Sequence, residues 1–94
     1  MIHTLALEQR NLHGHFSRDL APILTIASGD AVRFSIPNSS WLMESGDKFV
    51  PRDAAINTGH ALVGPIAVRG AKAGQTLAVR VDEVRPGSWG RTMT

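Results

Sequence analysis

Cysteine is absent from this chain of 94 residues. Its absence excludes a disulfide framework, a thiolate metal site and a thiol nucleophile. Tyrosine is absent too, and aromatic residues make up only 5% of the chain. So few rings leave little on which unpaired bases can stack. Ten Lys and Arg stand against eight Asp and Glu, for a net charge of +2, and the bases are scattered without a run. No basic stripe is present to neutralise a phosphate backbone, so no nucleic-acid partner is expected. No apolar stretch approaches the roughly 18 residues that cross a bilayer, so no membrane partner is expected either. The first residues lack a basic stretch followed by an apolar run, so no secretory leader is expected and a cytoplasmic setting is. Nor does any segment sustain the 3.6-residue period of an amphipathic helix.

What is present is alternation. The 43% hydrophobic content suits one globular domain over residues 1–94 with a modest core. Ile66 and Val68 alternate with Ala67 and Arg69, and Leu77, Val79 and Val81 alternate with Ala78, Arg80 and Asp82. Period-two patterning of this kind marks half-buried strands. Val32, Phe34 and Ile36 give the same signal, and Ile23-Leu24-Thr25-Ile26 is apolar on both faces. Thr4 to Leu7 reads as a short first strand. Ser28-Gly29-Asp30 and Gly70 to Gln75 read as turns, so 23–34 and 66–81 are expected to be two similar hairpins. The expected fold is all-β: an antiparallel, jelly-roll-like β-sandwich of short strands with one long irregular loop, Asn38 to Thr58. Ile23, Leu24, Ile26, Val32, Phe34, Ile66, Val68, Leu77, Val79 and Val81 are its expected core. Trp41 and Phe49 are expected to cap that core or, with Trp89, to anchor a partner. The end beyond Trp89 reads as severed or exchanged rather than closed.

Three places carry candidate chemistry. His13-Gly14-His15 would put two imidazoles on one face of a strand, where both can reach one ion. His60 or a carboxylate such as Asp19 or Asp53 could complete that set. Gly59-His60, followed by Gly64-Pro65, places a histidine in a loop whose backbone is confined by its neighbours. Without Cys, a blue-copper site is excluded.

These same stretches carry a family likeness. Gly59 to Ile66 with Val68 to Gly74, His13 to Pro22, and Thr25 to Phe34, taken in order, resemble the N-terminal part of the acetamidase/formamidase family. The likeness covers nearly the whole chain. It departs at Ala73-Gly74-Gln75, where the family carries a Pro-Gly-Asp-like turn. Members are also considerably longer, and their later Gly-Asn-x-Asp and Gly-Asp-x-His segments have no counterpart here. The resemblance implies hydrolysis of the carbon–nitrogen bond of short linear amides, such as formamide or acetamide. On this reading His60 is catalytic, Gly59, Gly64, Pro65 and Asp19 shape the substrate loop, and His13, His15 and His60 hold a divalent metal, zinc or calcium. Activity would require a homo-oligomer or a complementing C-terminal chain. Two other readings stay open: a non-catalytic β-sandwich binding or assembly module, and a cupin-like metal-binding barrel.

Overall fold

Six short strands pair two by two. A computed structural model of the chain describes residues 1–92. Strand β1 (Ile2–Leu5) is followed by a 3₁₀ turn (Gln9–Asn11), β2 (Leu12–His13), β3 (Leu24–Ile26), β4 (Ala31–Phe34), β5 (Leu62–Val63) and β6 (Ile66–Val68). β1 runs parallel to β4, with Ile2 opposite Ala31 and Leu5 opposite Phe34. β3 runs parallel to β6, with Leu24 opposite Ile66 and Ile26 opposite Val68. β2 and β5 are antiparallel. The β-branched and apolar content of these segments suits a pleated, half-buried surface.

The all-β character matches the sequence pattern, but the pairing does not. Among the described residues the strands form three separate two-stranded sheets, two of them parallel, with no closed sheet. The expected hairpin of 23–34 is instead a corner. Asp30 N–H closes the turn onto Ala27 O at 3.0 Å, but the strands it joins go to different partners. The Asp30 carboxylate explains the direction of departure. Its Oδ2 accepts from His3 Nε2 at 2.9 Å and from Ala27 N–H at 3.1 Å, which ties the start of β4 to β1. β3 is drawn the other way: Ile23 N–H donates to Pro65 O and Arg69 N–H to Ile26 O, bracketing the β3–β6 ladder. Parallel pairing needs long crossovers, which a reading of local turns cannot anticipate.

The core also lies elsewhere than expected. The buried hydrophobic residues are Leu12, Trp41 and Ala61, with Leu7, Phe49 and Val63 packed against them. Ile23, Leu24, Ile26, Val32, Ile66 and Val68 are only half-buried. Phe34 is 46% exposed, and Leu77, Val79 and Val81 are 71–75% exposed. The last three lie in a segment that forms no strand, and every side chain from Leu77 to Val81 stands exposed, so the strand expected there is absent among the described residues. The long arm shows in the dimensions: the radius of gyration is 14.4 Å, against about 12 Å for a compact chain of this length.

The loop Asn38 to Thr58 supplies what the strands do not. Asn38 Oδ1 accepts from Ser40 N–H and Leu42 N–H, an Asx-type turn that holds Trp41 at φ +66. A bulky residue rarely adopts that angle. Here it turns the indole inward, where Trp41 stacks on Phe49 at 6.3 Å between centroids and donates Nε1–H to Gly59 O at 2.9 Å. Trp41 is therefore a core residue. Trp89 anchors the terminal arm, donating Nε1–H to Glu44 O at 2.7 Å. Met93 and Thr94, the end of the segment read as severed or exchanged, lie outside the described residues.

Candidate functional site

The β2–β5 ladder builds the site. Leu12 faces Val63 and His13 faces Leu62, and Gly64 N–H extends the ladder onto Asn11 O. Continuing that register would bring Ala61 opposite Gly14. Instead Gly59 N–H reaches Gly14 O, at 2.8 Å. His60 and Ala61 are thus surplus to the ladder and bulge from it. Such bulges re-aim side chains. Ala61 turns into the core and His60 turns out to solvent. Gly64, buried at φ +131, and Pro65, joined to it by a cis peptide bond, close the other end of β5. Gly59 and the Gly64–Pro65 pair flank His60 on either side of β5.

Strand β2 ends at His13, so the strand expected to carry both His13 and His15 stops short. Gly14 and His15 form a bend. The two imidazoles stay neighbours, 6.5 Å apart and edge to face. His13 is buried, with Nδ1 2.8 Å from His15 O. His15 is half-buried, with Nδ1 2.9 Å from Asn57 Oδ1. A carbonyl oxygen can only accept, so in both rings Nδ1 carries the proton and a neutral ring keeps its lone pair on Nε2.

Two clefts meet at His15. One, of about 330 Å³, is lined by Gly14, His15, Phe16, Gly59, His60 and Leu62. It joins His15 to His60. The other, of about 260 Å³, joins His15 to Asp19, Arg52, Asp53 and Asn57. Asp19 is exposed at its rim, its N–H held by Ser17 Oγ at 3.1 Å. His13 lines neither cleft. No group of three or more His, Asp or Glu is placed to share an ion among the described residues.

Asn57 escaped the sequence reading. It is buried, and its side chain bonds Gly14 N–H, His15 and the Arg52 carbonyl. Nothing in Ile56-Asn57-Thr58 separates it from an ordinary turn asparagine. Only the fold shows its setting: a Cβ on Gly14 would meet Asn57 C at 2.8 Å, so the two backbones approach where a side chain does not fit.

The model of the acetamidase/formamidase family matches residues 2–94. The chain belongs to the acetamidase/formamidase family. No curated protein and no solved structure matches it. Acetamidase/formamidase membership supports an amidase-type hydrolase at the level of the family. In this member the family match takes in β2, the bulge at His60 and the loop carrying Asn57. No helix among the described residues is long and apolar enough to cross a membrane.

Proposed function

We propose that this chain contributes the histidine-bearing cleft of an amidase acting on short linear amides, releasing ammonia and a carboxylate. The observation that carries the reading is the bulge at His60. It holds an exposed imidazole at a cleft shared with His15, inside the stretch from Gly59 to Ile66. Amide hydrolysis needs a proton taken from water as its oxygen adds to the carbonyl carbon, and a proton delivered to the nitrogen as the carbon–nitrogen bond breaks. His60 is assigned the second task, donating to the departing ammonia. Gly59, Gly64 and Pro65 keep it in place, and Asp19 borders the adjoining cleft. At about 330 Å³ the cleft lies at the small end of ligand sites, roughly 300–1,000 Å³, in keeping with a small substrate.

The three imidazoles named for a divalent metal do not converge: His15 and His60 line one cleft, His13 lines neither, and no three His, Asp or Glu among the described residues are placed to share an ion. Imidazole suits zinc better than calcium, which takes oxygen ligands.

The exposed apolar side chains of Leu77, Val79 and Val81 favour a second reading beside the first, in which the chain is also an assembly module. Its partner is a further copy or a complementing chain carrying the rest of the family fold, in a cytoplasmic setting. Exposed apolar side chains grouped in this way mark an interaction surface.

The test is ammonia release from formamide and acetamide by the purified chain and by the assembly recovered from cells, with His60→Ala beside each. Lost turnover with an unchanged melting temperature supports the assignment. A lowered melt with turnover kept per folded molecule makes His60 structural, and no turnover in any assembly sinks the amidase reading.

A further inference from the structure

Asn57 is 4% exposed, and its amide is engaged on both sides. Oδ1 accepts from Gly14 N–H at 2.8 Å and faces His15 Nδ1 at 2.9 Å. Nδ2 donates to Arg52 O at 2.6 Å and, more weakly, to Asp53 O at 3.3 Å. These partners settle which end of the amide is oxygen. A backbone N–H can only donate, and the Arg52 and Asp53 carbonyls can only accept. The oxygen therefore faces His15, and His15 Nδ1 must carry the proton. A neutral imidazole has one such proton, so Nε2 is left with its lone pair. Free histidine in water prefers the opposite tautomer.

The Asn57 side chain is locked in turn. Asn57 N–H and Ile56 N–H both donate to Asp53 O, where Asp53 takes φ +50. Gly14 and Gly59 lack the Cβ atoms that would push the loop away, since a Cβ on Gly14 would lie 2.9 Å from Asn57 O. The ring so held lines both clefts and shares one of them with His60.

We propose that Asn57 is a positioning residue that fixes His15 as the Nδ1–H tautomer, and that His15 Nε2 is the proton acceptor of the site. The proposal rests on the amidase reading and assigns the task left open there. Water loses its proton to Nε2 as its oxygen bonds to the amide carbon. The imidazolium that forms keeps Nδ1–H on Asn57 Oδ1. The proton later leaves with the products, and the ring returns to the same tautomer. An amide suits this role because it orients the ring without the full negative charge that would hold the proton on it.

The experiment is nitrogen NMR of the full chain with labelled histidine, at a pH where the imidazoles are neutral. His15 is expected with Nδ1 protonated and Nε2 bare, while exposed His60 shows the tautomer of free histidine in the same spectrum. His15 protonated at Nε2, or mixed like His60, overturns the positioning role. This readout needs no variant, so it stands even if Asn57→Ala fails to fold; where that variant folds, His15 is expected to revert to the free-histidine tautomer. For the acceptor role, His15→Gln is expected to lower kcat for formamide by roughly 10²–10⁴-fold with KM nearly unchanged. An unaltered kcat overturns it. A wild-type chain with the expected tautomer and no amide turnover in any assembly would retire the amidase reading and the acceptor role, leaving Asn57 as the residue that orients His15.

Discussion

Gly59 N–H donates to Gly14 O at 2.8 Å, and a Cβ built on Gly59 would stand 2.6 Å from that same oxygen. The contact ends the β2–β5 ladder and lets His60 bulge from it. It admits no side chain. Gly59→Ala is therefore expected to cost roughly 1–3 kcal/mol, as for overpacking, read as a lowered melting temperature. Gly90→Ala, which meets nothing within 4 Å, should change stability by less than about 0.5 kcal/mol. Equal melts for the two variants would show that the Gly14–Gly59 approach does not exist.

Trp41 holds the bulge from the inside. Trp41→Ala should cost about 3–5 kcal/mol through lost burial and a cavity. Trp41→Phe keeps a ring but strands Gly59 O, and should cost roughly 1–3 kcal/mol. Phe34→Ala should cost clearly less than Trp41→Ala, because Phe34 is 46% exposed. Chemical denaturation of the three variants ranks them directly.

Asp30 makes stability sensitive to acid. Its carboxyl is lowered from 3.8 to about 2, first by the His3 ring bond, then by Ala27 N–H, with the amino terminus adding to both. The folded value lies below the unfolded one. The contribution is therefore complete above the unfolded value, and is lost as pH falls from about 4 towards 2. Asp30→Asn should lower the melt at neutral pH and flatten its decline over that range. A decline of the same depth in the variant would place the acid-sensitive group elsewhere.

The terminal arm is expected to drive association. Its charges pair locally, Arg80 with Asp82 at 2.6 Å and Arg85 with Glu83, leaving Leu77, Val79 and Val81 as exposed apolar side chains. Leu77→Lys with Val81→Lys should reduce the sedimentation coefficient of the assembled species while leaving the melt of the folded chain within a few degrees. A wild-type chain that sediments as a monomer at high concentration, with no partner recovered from cells, contradicts the expectation.

The amino-acid pattern alone determined the class of structure and where strands begin. Alternation at Ile66 and Val68, and the apolar run at Leu24 to Ile26, depend only on the two-residue period of an extended chain, so β3, β4 and β6 were legible within a residue or two. The family was legible as well, because Gly59-His60, Gly64-Pro65 and His13-Gly14-His15 keep their order along the chain. Alternation says which side of a strand is apolar and nothing about what covers it, so Leu77, Val79 and Val81 read as core while standing in solvent. Pairing was decided by contacts distant in sequence, above all Asp30 reaching back to His3 and turning a hairpin into a corner. The core was decided by Trp41 at an angle that only its Asn38 turn could impose. The site required the same reach: Asn57 lies 42 residues from His15, and only the fold brings an asparagine with no local distinction to the one imidazole that both clefts share.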